Sequence, residues 1–168
     1  AGAAHARVVE EQIHVPVQVK NPWGKQIAQD IRVTVWSDDT NPRPAPIALI
    51  NHGRAPDAQG RASLGRARYT DASRYLLRRG FVVAVPTRVG YGVSGGEDVE
   101  DTGACNNRNY APGFDAAAVQ ILAALNAVRQ RPDVAPDRVL LVGQSFGGAS
   151  TVALAAMNPP GVVAAVNL

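Results

Sequence analysis

The hydrophobic pattern changes character partway along the chain. Gln12 to Val19 (QIHVPVQV) alternates apolar and polar positions, as a half-buried strand does, and Ile31 to Trp36 (IRVTVW) alternates again. Asn21-Pro-Trp-Gly24 lies between them as a turn, so the start of the chain predicts an antiparallel hairpin. A Pro-rich connector, Asn41 to Pro46, is too short for an interdomain linker. From Ile47 the strands become apolar throughout: IALIN, running into His52-Gly53, then Phe81 to Val85, Val139 to Val142, and Val162 to Val166. Continuous runs of this kind predict strands covered on both faces. Helical patterns separate them. One starts at Thr70 or Asp71, either a competent N-cap, carries Ala72, Tyr75, Leu76 and Arg79 on one face, and ends at Gly80. A second keeps Phe114, Ala118, Ile121, Leu122, Leu125 and Val128 at helical spacing, and Pro132 stops it. A third runs from Phe146 to about Met157. Arg54 to about Arg68 reads as a polar loop, and Pro86 is expected to end its strand's ladder. Gly90 to Gly113 reads as a long loop of the sort that carries function.

Strands alternating with helices predict the α/β class: a mostly parallel sheet with helices on both faces, in a single domain. Residues 1–46 supply the N-terminal strands and residues 47–168 the core. Right-handed crossovers place the loops after Asn51, Val85 and Val142 at one sheet edge, where ligands bind in such folds. The loop after Val142 carries the strongest chemistry. Gly143-Gln-Ser-Phe-Gly147 matches G-x-S-x-G in the setting of strand, tight turn and helix. That setting predicts a nucleophile elbow, with the Ser145 hydroxyl projecting from a strained backbone above the sheet. Gly143 and Gly147 would lack the Cβ atoms that collide where strand and helix approach. The Phe146 N–H, at the helix N-terminus, would face a developing oxyanion.

Composition narrows the remaining classes. A chain of 168 residues can bury a real core, and no apolar run in it approaches the length of a bilayer span. The formal charge is +3, but charged residues make up only 18% and no Lys/Arg tract is interleaved with aromatics, so nucleic acid is not an expected partner. The arginines between Arg54 and Arg88 read as a solvated helix face and loop. Cys105 stands alone, which excludes a disulfide framework and a cysteine-rich metal site. The opening AGAAHA suits a mature terminus left by a signal peptidase, and equally a trimmed start; an exported location is favoured over a cytoplasmic one.

The segments NHGRAP, TRVGYGVSGG and DVAPDRVLLVGQSFGG, with the apolar strand after them, resemble the α/β-hydrolase superfamily over most of residues 47–168. The nearest likeness is to dienelactone-hydrolase-like and esterase-like members; acyl-peptidase relatives carry a propeller that the first 46 residues could not form. The resemblance implies a serine hydrolase acting on a small-molecule ester or other acyl substrate through an acyl-Ser145 intermediate. Phe146 would supply one oxyanion N–H, and Arg54, through its backbone, the other. His52 would pack beneath the oxyanion loop, while Tyr91 and residues Cys105 to Tyr110 would line the substrate cleft. No metal or organic cofactor is implied. The superfamily also requires a carboxylate after its seventh strand and a histidine after its eighth. This chain reads as truncated after the sixth strand: no Asp, Glu or His follows Ser145, and His5, His14 and His52 all precede it. Losing the triad histidine costs about 10⁶ in kcat, so the chain by itself is expected to be inactive. Three explanations stay open: a C-terminal part lost from the record, a separate C-terminal fragment that completes the fold, or a shortened relative that binds ligands or partners without catalysis.

Overall fold

A computed structural model describes residues 7–168 of the chain; His5 and the small-residue start lie outside them. The predicted hairpin forms from β1 (Val8–Lys20) and β2 (Gln26–Asp38), paired antiparallel from Val8↔Asp38 to Lys20↔Gln26. Asn21 closes its turn, its Oδ1 accepting from the Trp23 and Lys25 N–H groups at 3.0 and 2.9 Å. The core strands are β3 (Ala45–Asn51), β4 (Val82–Thr87), β5 (Val134–Gly143) and β6 (Val162–Asn167). All six join one sheet in the order β1-β2-β4-β3-β5-β6. β4, β3, β5 and β6 run parallel, while β2 pairs antiparallel with β4.

Helices cover both faces, as the apolar runs predict. Ile47, Leu49, Val139 and Leu141 pack with Ile121, Leu125 and Val128 of α3 (Ala111–Arg129) and Leu154 of α4 (Phe146–Ala156). Ala48, Ile50, Val83 and Val85 point the other way, toward Leu77 of α2 (Thr70–Leu77). Alternation along β3 thus serves two cores at once. α3 is long and apolar enough to cross a membrane by length and composition, which the sequence pattern had not predicted. Its buried face is the one packed on the sheet, the arrangement of a core helix.

Several boundaries differ from expectation. Neither Thr70 nor Asp71 caps α2: the N-cap is Tyr69, in the left-handed region (φ 44°, ψ 51°) and without a side-chain cap. The helix buries Ser73 and Leu77 and leaves Tyr75 exposed, because the Ser73 hydroxyl turns back to the Arg68 carbonyl at 2.8 Å and needs no water. α1 (Ala58–Ala62) forms inside the predicted loop, its Asp57 N-cap accepting from the Gly60 N–H at 2.7 Å. Pro86 does not end β4; parallel pairing with β3 stops at Ala84, and Pro86 sits opposite Val33 on the β2 side. α3 starts at Ala111 because Pro112 suits a first helical turn. The arginines of residues 54–88 are not simply solvated: Arg54 and Arg61 pair with Asp98, Arg66 and Arg68 with Glu10, and Arg88 with Glu100.

Candidate active site

β5 delivers Gly143 to a bend so tight that a Cβ there would overlap the Gly147 carbonyl. Ser145 at the apex has φ 55° and ψ −123°, a conformation that costs a non-glycine residue about 1–3 kcal/mol. α4 starts at the next residue, and a Cβ on Gly147 would overlap the main-chain oxygens of Asn51 and His52 at the end of β3. Those glycines therefore let the β5–α4 bend sit directly against the β3 loop. The Gln144 N–H donates to the Asn51 carbonyl at 3.1 Å, and a Cβ on Gly53 would lie 3.4 Å from the Ser145 Cβ. Ser145 is solvent-exposed and lines a cavity of about 600 Å³ with Arg54, Phe146, Phe114, Tyr110 and Arg108. Among the described residues, neither the Phe146 N–H nor the Arg54 N–H donates a hydrogen bond to a protein acceptor.

Three aromatic rings form one wall of the cavity. Tyr110 stacks on Phe114 with centroids 5.8 Å apart, and Phe114 leans on Phe146 at 4.8 Å. The Arg54 side chain forms a bidentate pair with Asp98 (2.7 and 2.6 Å), which Arg61 joins at 3.2 Å. Burial alone would raise the Asp98 carboxyl, but the Arg54 hydrogen bonds and the charges of Arg54 and Arg61 outweigh it and hold it below its ordinary value.

A buried ionic floor lies under this layer. Arg88 and Glu100 are fully buried and paired, and Tyr91 donates to the same Glu100 carboxylate at 2.6 Å. Tyr91 is 1% exposed and absent from the cavity wall, so the expected cleft residue is instead a support beneath it. Burial first, then the Glu100 charge, pushes its phenol up and keeps it protonated. His52 sits edge-on to Tyr91, and both its nitrogens are occupied: Nδ1–H donates to the Gly53 carbonyl at 2.8 Å, and Nε2 accepts from the Arg88 N–H at 3.2 Å. Burial, reinforced by the Arg88 charge, lowers its pKa well below the usual histidine range. His52 is thus a neutral packing residue with no lone pair left for a serine proton. His14 lies exposed on β1, an edge strand separated from β5 by β2, β4 and β3. Asp98, Glu100, Arg88 and Tyr69 are site-forming residues that sequence reasoning did not single out; the one available cue was the unusual density of carboxylates in Glu97-Asp-Val-Glu-Asp101. Among the described residues no three His, Cys, Asp or Glu side chains gather as a metal site.

The six-stranded sheet and its covering helices are those of the α/β-hydrolase fold. A dienelactone hydrolase-like promiscuous phosphotriesterase from metagenomic libraries superposes with a TM-score of 0.62 at 17% identity, over 95% of this chain and 59% of its own. The α/β hydrolase GrgF from Penicillium sp. sh18 gives 0.61 at 19% identity, over 95% and 45%. The esterase Est22 gives 0.53 at 17% identity, over 88% and 38%. The chain therefore spans between about two fifths and three fifths of the length of these hydrolases. No curated protein matches it. The sequence profile of the Dienelactone hydrolase family matches residues 55–168, and the chain belongs to that family.

Proposed function

We propose that the protein is a serine hydrolase that cleaves an ester, or another acyl bond, of a small molecule through an acyl-Ser145 intermediate. The observation that carries this is the left-handed, strained backbone of an exposed Ser145 at the end of β5, facing a cavity. Strain at a solvent-facing serine serves no packing purpose. In the first step the Ser145 Oγ bonds to the substrate carbonyl carbon and its proton passes to a base. The negative charge on the carbonyl oxygen is met by the unpaired Phe146 and Arg54 N–H groups. Each such donor typically lowers the barrier by about 2.7–4 kcal/mol. Collapse breaks the bond to the alcohol, which leaves with a proton; water then releases the acid and restores the hydroxyl.

His52 cannot be the base, and no Asp, Glu or His follows Ser145. On this reading the proton acceptor is a group other than the histidines among the described residues, neither of which lines the cavity. A ligand-binding role on the same scaffold is the competing reading, favoured by a cavity wall that carries no histidine among the described residues. A fluorophosphonate probe on the protein as its gene encodes it separates the two. Labelling that disappears in Ser145→Ala supports the hydrolase; an unlabelled wild type supports the binder.

A further inference from the structure

The proposed chemistry uses Ser145 and two main-chain N–H groups and assigns nothing to Tyr69, yet Tyr69 carries the second costly backbone near the site. Three described non-glycine residues have positive φ: Tyr69, Ser145 and Asn158. Asparagine adopts that region readily; tyrosine and serine do not. The two strained residues are one side chain apart, because the Tyr69 hydroxyl donates to Gln144 Oε1 at 2.9 Å and Gln144 is the residue before Ser145.

We infer that Tyr69 is a positioning residue, a fixed post that holds Gln144, and through it the peptide entering Ser145, at a set distance from the His52–Arg54 loop. The inference rests on the serine-hydrolase reading above. The post is anchored in the fold. Ala67, two residues earlier, receives a hydrogen bond at its carbonyl from the buried Thr34 hydroxyl at 2.9 Å, and its N–H donates to the Thr87 hydroxyl at 2.9 Å. Those bonds tie the segment to β2 and β4. The Tyr69 carbonyl then accepts the Ser73 N–H at 2.8 Å to begin α2. A left-handed residue lies between these ties, and its phenol reaches Gln144 just past the end of β5.

The far end of the clamp is Gln144. Its N–H bonds the Asn51 carbonyl, and its own carbonyl accepts the Gly147 N–H at 2.9 Å and lies 3.4 Å from where a Gly53 Cβ would be. Through Gln144 the phenol thus bears on both loops that carry the proposed oxyanion donors, the Asn51–Arg54 segment on one side and the Phe146 peptide on the other. Misplacing a reacting group by about 1 Å can cost about 10²-fold in rate, so a clamp on this spacing acts on kcat.

The test is the rate of fluorophosphonate inactivation and the steady-state constants for an aryl acetate, on the protein as encoded. Tyr69→Phe keeps the ring and loses the hydroxyl, and should slow inactivation and lower kcat together by about 10- to 100-fold, with KM within about 2-fold. Gln144→Met removes the acceptor at an exposed position that does not endanger folding, and should give the same loss. The double variant should be no slower than either single one, because both break the same bond. Wild-type rates in Tyr69→Phe, or losses that multiply in the double variant, would overturn the inference while leaving Ser145 as nucleophile. A wild type that is not labelled at all, or labelling that survives Ser145→Ala, instead removes the hydrolase reading, and the positioning role with it.

Discussion

Replacing Ser145 by alanine and by glycine separates the hydroxyl from the backbone. Both variants lose the proposed nucleophile, so their difference in stability reports the conformation alone. At φ 55° and ψ −123° a Cβ is costly, and alanine retains it. Removing it releases about 1–3 kcal/mol of strain. Glycine's greater freedom in the unfolded chain offsets about 0.4–1 kcal/mol of that gain. Ser145 is solvent-exposed, so little packing is lost with its Cβ. Ser145→Gly should therefore be more stable than Ser145→Ala by about 1 kcal/mol, or about 2–4 °C in Tm for a domain of this size. At most positions the order is reversed, with glycine the weaker by about 0.5–1 kcal/mol, which makes the sign diagnostic. Urea unfolding followed by tryptophan fluorescence can read it, since Trp36 is buried in the core while Trp23 is exposed. Alanine equal to or more stable than glycine would refute a strained bend at this serine, and with it the main support for a nucleophile there.

Other consequences follow from the packing and charge around the bend. Gly147→Ala drives a methyl into the main-chain oxygens of Asn51 and His52, neither of which can rotate away, and should cost the upper end of the about 1–3 kcal/mol typical of overpacking; a normal urea midpoint would contradict the close strand–helix approach. Glu100→Gln leaves the Arg88 guanidinium buried without its counter-charge and should destabilise by about 3–5 kcal/mol, whereas the Arg88→Met/Glu100→Leu/Tyr91→Phe triple variant should recover most of that in the same denaturation assay. His52 is held neutral with a lowered pKa, so below about pH 6.5 the unfolded chain binds a proton that the folded chain refuses. Stability should then be intact above that pH and fall by about 1.4 kcal/mol per pH unit as the pH drops below it; a flat profile from pH 7.5 to 5.5 would show His52 protonating freely in the folded protein.

What could be read from the residues and what could not divide along a physical line. The strands of the parallel half were readable because burial on two faces demands an unbroken apolar run, and IALIN and FVVAV satisfy that locally. The bend at Ser145 was readable for a similar reason: close approach of β5 and α4 excludes Cβ atoms at Gly143 and Gly147, a demand the sequence records at those very positions. Tyr91 was misplaced because an aromatic in a Gly-rich loop resembles a cleft wall, and only the position of Glu100 reveals that the phenol is needed as a buried donor. The charged floor was hidden in the same way. Arg54 and Asp98 are 44 residues apart, and Arg88 and Glu100 are joined across a loop with no periodicity. The arginines of residues 54–88 were expected to be solvated because isolated charges are, but five of them meet carboxylates brought in by other elements. Tyr69 left no trace of its role, since tyrosine is a residue that left-handed backbone disfavours rather than announces. Residue type reports requirements met within a few positions of the chain. The post, the floor and the neutral histidine meet requirements set by residues far away in sequence, so the support of this site becomes visible only when the sheet brings its edges together.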